Sequence, residues 1–166
     1  VPSLYYRFAG WSGDVPAGQT NTNPLILTMD QSRTIWVNFM ANMATNNTPH
    51  WWLAQYGLAT NDTGALYDDG DGVPAWQEYV ADTDPTNKQS VLALVGIIPE
   101  AGGIRVNWKG GQWATQYIQT RVDLTSTSEL WKNIYTNGVL PTSTTNSLID
   151  SGRTNTMFWY RIKAVR

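Results

Sequence analysis

The 166-residue chain has no cysteine and a single histidine. The first absence excludes disulfides, zinc–thiolate centres and a thiol nucleophile. The second leaves His50 as the lone imidazole, and there is no Gly-x-Ser-x-Gly elbow and no phosphate-binding loop, so the common catalytic frameworks are missing. No run of eighteen apolar residues is available to span a bilayer. Val1-Pro2-Ser3-Leu4 is not a basic segment leading into an apolar one, so a soluble chain, mature or cut from something larger, is expected. Charge is also scarce, at 14% of residues against 42% hydrophobic and 12% aromatic, which is a globular composition able to fill a core.

The most telling shortage is local. Residues 61–84, NDTGALYDDGDGVPAWQEYVADTD, carry seven carboxylates (Asp62, Asp68, Asp69, Asp71, Glu78, Asp82 and Asp84) and no Lys, Arg or His. Gathering that many like charges costs free energy through repulsion and lost hydration unless a cation sits among them. The imbalance extends further: residues 1–86 hold two bases against nine acids, and residues 87–166 hold nine bases against four acids. Such a split points to separately built modules. The basic part, with Arg105, Lys109, Arg121, Arg161 and Lys163, fits a solvated face better than a polyanion site, and no groove-reading motif accompanies it.

Period-two alternation marks strands at Leu4–Phe8 and Ile35–Phe39, with a further strand at Pro24–Thr28 and turn chemistry at Gly10–Asp14 and Pro16–Gly18. His50–Tyr56 reads as a short helix with Thr48 as N-cap, Pro49 at its first position and Gly57 past its end. A second short helix is expected at Ala75–Ala81, stopped by Thr83-Asp84-Pro85. From Ser90 onward, strands are expected at Val91–Ile97, Ile104–Trp108, Tyr117–Val122, Lys132–Thr136 and Phe158–Ile162. Turns fall at Gly102-Gly103, Gly110-Gly111, Asn137-Gly138 and Ser151-Gly152, giving an antiparallel sandwich. The fold class is therefore mainly β, in three parts: a small β unit at 1–44, a helix–loop–helix segment at 45–89 and a sandwich at 90–166.

Calcium takes six to eight oxygens, and an EF-hand loop supplies them from positions 1, 3, 5, 7 and 12, with glycine at 6. Asp69 at position 3 puts Asp71 at 5, Gly72 at 6, the Val73 carbonyl at 7 and Glu78 at 12, where it can bind bidentately. Position 1 is Tyr67, a poor ligand at neutral pH. Asp62, Asp68, Asp82, Asp84 or water could replace it. A solvated acidic loop whose Asp-Gly pairs merely make turns is the competing explanation. Glu78 in register and the missing bases favour Ca2+ as the cofactor.

Thr48–Leu58, Asp69-Gly70-Asp71-Gly72, Trp76-Gln77-Glu78-Tyr79 and Thr83–Asn87 together resemble the dockerin-like, thrombospondin type 3-like calcium segments of large secreted bacterial proteins. The resemblance implies Asp69, Asp71 and Glu78 as ligands, although the family usually has an acid where this chain has Tyr67 and often an Asp in place of His50. Tyr6–Asp14, Asn23–Asp30 and Thr34–Phe39 are similar to the β-grasp-type repeat of internalin-like adhesins, with its first strand absent. Val106-Asn107-Trp108, Tyr117–Arg121 and Phe158–Ile162 resemble a fibronectin type III-like module. Together these imply a non-catalytic, extracellular or cell-surface region of a larger parent protein.

Against an enzyme, His50 beside a helix start and Asp69 with Asp71 on one glycine loop make a poor acid–base pair for a sugar bond. Nine tryptophans leave room for a binding module, because exposed indoles stack on sugars and anchor interfaces. Trp108 and Trp113, which bracket the Lys109-Gly110-Gly111 turn, are the candidate contacts to a glycan or surface protein. A spacer or adhesion segment is the leading expectation, and a carbohydrate-binding accessory region of a secreted polysaccharide-degrading enzyme is the second. Neither nucleic acid nor membrane insertion is expected.

Overall fold

A computed structural model describes residues 3–128, 130–151 and 158–166. The chain is mainly β, with antiparallel sheets, and divides into two compact units, Val1–Gly64 and Ala65–Arg166. The division falls inside the segment expected at 45–89.

In the first unit, β1 (Tyr6–Gly13) pairs antiparallel with β2 (Ile35–Ala41). The expected turn at Gly10–Gly13 is instead the second half of β1. Phe8 faces Phe39 and Gly10 faces Asn38, so one extra residue is accommodated as a bulge, where Gly10 adopts φ +129°. Glycine serves here to bend a strand rather than end it. Pro24–Thr28 is not a strand: Leu25 and Leu27 are partly buried and Ile26 is exposed, but no ladder forms. The burial alternates as expected, yet side-chain period alone cannot supply a hydrogen-bonding neighbour. The long β1–β2 connection is tied back by the Trp11 amide and indole N–H groups, which donate to the carbonyls of Thr20 (2.6 Å) and Thr22 (2.7 Å).

Two short strands, β3 (Met43–Ala44) and β4 (Thr48–Pro49), flank a single 3-10 turn at Thr45–Asn47 and lead into α1 (His50–Gln55). Thr48 does not cap α1. Its hydroxyl donates to the Thr45 carbonyl at 2.9 Å, and Pro49 occupies the N-cap position instead. The far end follows expectation: Gly57 has φ +69°, with Gly57 N–H donating to Ala54 at 3.0 Å and Leu58 N–H to Leu53 at 3.0 Å. That is the reciprocal pattern of a left-handed helix stop. Trp52 and Leu53 are buried on this helix.

A four-residue helical turn, α2 (Asp62–Ala65), lies at the division between the units, and α3 (Ala75–Ala81) coincides with the expected second helix. Then come β5 (Ala93–Glu100), β6 (Gly103–Lys109), β7 (Thr115–Arg121), β8 (Lys132–Asn137), β9 (Thr145–Asp150) and β10 (Trp159–Val165). They form two three-stranded sheets, ordered β5-β6-β9 and β10-β7-β8. β9 was not expected, because Thr145-Asn146-Ser147-Leu148-Ile149-Asp150 carries only two apolar residues, Leu148 facing the core and Ile149 facing out, so no apolar alternation shows. The Ser151-Gly152 turn lies partly outside the described residues.

Both sheets contribute to one core of Val106, Trp108 and Ile118, with Leu94, Ile104, Ile134, Leu148, Tyr160 and Ile162 packed against it. Val106 and Ile118 have no exposed surface, whereas Ile98 is 46% exposed. Ile118→Ala is expected to destabilise the protein by about 2–5 kcal/mol, read from denaturant midpoints. Ile98→Ala should cost about 0.5 kcal/mol or less. Similar losses at the two positions would contradict this placement of the core.

Candidate metal centre

Three glycine-linked acids lie together ahead of α3. The carboxylate oxygens of Asp68, Asp69 and Asp71 are within 4.8 Å of one another. Proximity alone decides little, since exposed acids often cluster without an ion and Asp68 is exposed. The hydrogen bonds are more informative, because they separate the three carboxylates by task.

Asp68 Oδ1 accepts the backbone N–H groups of Gly70 (2.8 Å), Asp71 (3.1 Å) and Gly72 (3.1 Å). These donors, Gly70 and Gly72 foremost, hold its carboxyl below the usual carboxylate pKa. Asp68 therefore winds the loop. Gly70 and Gly72 adopt φ +103° and +84°, backbone conformations that side-chain-bearing residues rarely take. The winding places Asp69 and Asp71 inward. Asp71 Oδ1 accepts Val73 N–H at 2.7 Å, while Asp71 Oδ2 and both oxygens of Asp69 are buried without a hydrogen-bond partner.

Glu78 comes from α3, near enough for the charges of Asp71 and Asp69 to act on its carboxyl. Its side chain is fully buried; Oε1 meets the Thr83 hydroxyl at 3.4 Å, and Oε2 has no partner. Burial first, then the charges of Asp71 and Asp69, push its carboxyl up to about 8, against the opposing Thr83 hydrogen bond and with a further push from Asp84. Burial and the Asp71 charge likewise raise Asp69, although the Asp71 amide lies close enough to oppose the shift without meeting hydrogen-bond geometry. A buried carboxylate oxygen without a donor is expensive. Here four such oxygens, from Asp69, Asp71 and Glu78, have no donor.

The other expected ligands fall in different places. Asp84 is near enough to raise both Glu78 and Asp69, and its Oδ1 accepts the Thr86 amide and hydroxyl at 3.0 and 2.7 Å. Asp62 belongs to the first unit, where its Oδ1 accepts Thr45 N–H at 2.7 Å. Asp82, weighed as a replacement for Tyr67, has its carboxylate turned to other partners: Oδ2 accepts the amides of Gln112 and Trp113, and Oδ1 pairs with Arg166 at 3.1 Å.

The tryptophan expectation needs a correction. Trp108 is 1% exposed, and its indole N–H donates to Gln116 Oε1 at 2.7 Å, so it belongs to the core and offers no face to a sugar. Trp113 is 56% exposed. The basic residues of the outer face mostly have local partners. Arg105 pairs with Glu100, Lys109 donates to the Gln89 carbonyl, Arg121 to Ser126, and Arg161 stacks on Trp131.

The chain matches no known family model, no curated protein and no solved structure.

The Glu78 shift has a sign that can be checked. In cation-free protein its folded pKa lies above the ordinary value of 4.5, so the native state holds the proton more tightly than the unfolded chain does. Stability should therefore fall as pH rises from about 4.5 to about 8 in chelator-treated protein. Glu78→Gln, which cannot ionise, should flatten that decline in a melting series across the same range.

Proposed function

We propose that the chain is a non-catalytic, calcium-stabilised module of a larger secreted or cell-surface protein, serving as a spacer or adhesion segment. The observation that carries this reading is the full burial of Glu78, with Oε2 undonated and near Asp69, both of whose oxygens lack a donor, and Asp71, whose Oδ2 lacks one. A hard divalent cation satisfies such oxygens and offsets their mutual repulsion. Asp69, Asp71 and Glu78 would hold it, with the Val73 carbonyl at position 7 and Asp84 or water completing the shell. Asp68 would shape the loop, whatever it adds as a ligand.

The loop, its flanking glycines and a Glu one turn into α3 agree with the thrombospondin type 3-like resemblance. The paired three-stranded sheets are compatible with a fibronectin type III-like sandwich, and β1 with β2 with part of a β-grasp-like repeat. Extracellular calcium modules bind at about 0.1–1 mM, which suits a site outside the cell. Among the described residues no helix is long and apolar enough to cross a membrane.

An ion held only by the folded state stabilises it by about 2.7 kcal/mol at a hundredfold excess over Kd. EGTA treatment is thus expected to lower the melting temperature by about 10 °C, and Glu78→Gln should reproduce the loss with calcium present. Asp30→Asn, which removes an exposed partner of Arg33, should change the melt by little. An EGTA-insensitive melt would sink the proposal.

The exposed Trp113 favours a second reading, a carbohydrate-binding accessory region. Saturable binding in a glycan titration, lost on Trp113→Ala, would establish it; flat titrations with the parent protein would leave the spacer.

A further inference from the structure

The C-terminal end of α3 is built into the loop that carries Trp113. Asp82 caps the helix in the left-handed conformation (φ 58°, ψ 39°), and its amide turns back to the carbonyls of Glu78 and Tyr79. From there its Oδ2 accepts Gln112 N–H at 3.0 Å and Trp113 N–H at 2.9 Å. Oδ1 pairs with Arg166, which also donates to the Tyr79 carbonyl at 2.7 Å and lies over the Tyr79 ring. Backbone meets backbone at the same point: a Cβ on Gly111 would sit 1.9 Å from the Asp82 carbonyl oxygen and 2.5 Å from that of Ala81.

The loop is equally fixed on its other side. The Gly111 carbonyl accepts the Gln116 amide at 2.7 Å and the Thr142 hydroxyl at 3.0 Å, and Thr142 N–H donates to Gln112 at 2.8 Å. Gln116 is itself held by the Trp108 indole in the core. Glu78 and Asp82 are one helical turn apart. Because the Asp82 amide bonds the Glu78 carbonyl, a shift of the α3 backbone that carries Glu78 toward or away from Asp69 and Asp71 would also be felt by the group that holds the Trp113 amide.

We infer that Asp82 is a positioning residue that couples the cation site to the Trp113 loop, so that cation occupancy sets how firmly this exposed indole is displayed. The inference rests on the calcium reading proposed above. Coupling free energy is reciprocal: whatever the ion contributes to the Asp82–loop contacts, those contacts return to ion affinity.

Calorimetry and tryptophan emission, with calcium alone as the probe, test it on the full chain. Asp82→Ala is expected to weaken calcium binding about fivefold or more. Trp113→Phe should leave affinity unchanged while removing the calcium-induced emission change that distinguishes parent from variant, and Asp82→Ala should lose the same change. Parent-like affinity and an intact Trp113 signal in Asp82→Ala would overturn the coupling and leave the cation reading standing. A parent chain that takes up no calcium would remove both.

Amide exchange in the unmodified protein gives an answer even if Asp82→Ala fails to fold. Calcium should slow exchange at Gln112 and Trp113 more than at Ile118 in the core. An equal response at all three would overturn the inference.

Discussion

Buried negative oxygens without a counter-charge are the constraint around which the second unit is arranged. Asp69 and Asp71 are gathered by a loop wound on Asp68, and Glu78 comes near them from α3; of the described residues, those that shift the carboxyls of Asp69 and Glu78 include no base. A protein can tolerate such a cluster by protonating it, by leaving it hydrated or by binding a cation. Bulk water does not reach the Glu78 side chain, which has no exposed surface. The first and last routes compete for the same oxygens, which makes proton and cation alternatives at this site.

Much of this was legible in the sequence. The missing bases around Asp62–Asp84, the glycines flanking Asp71 and the spacing to Glu78 located the loop, and α3 begins and ends where its apolar run and Asp84-Pro85 indicated. Alternation placed β2, β6 and β10, and the candidate runs between turns placed β7 and β8, within a few residues of their observed limits. What escaped was set by partners distant in sequence. β9 is a strand because β6 lies beside it, not because its own residues alternate strongly. Trp108 could not be told from Trp113 by type or neighbourhood; Gln116 and the facing sheet decide which indole is buried.

The roles of the acids were also only partly readable. Asp68, Asp69, Asp71 and Asp82 are chemically identical, and spacing alone cannot say which carboxylate will be spent on backbone amides. Asp68 finds three such donors within its own loop, whereas Asp82 finds its two about thirty residues away. The first assignment follows from local turn chemistry. The second exists only once the sheets have assembled, because the 110–113 loop is shaped by Gln116 and Thr142.

The first unit carries a different burden. Its main sheet has only two strands, and Trp36, Val37, Phe39 and Met40 are all substantially exposed along β2, on both sides of the ribbon. Two-stranded ribbons are marginal by themselves in water, and open edges with apolar faces recruit other chains. If copies of this protein associate, the exposed apolar faces and open edges of this ribbon are where contact would begin.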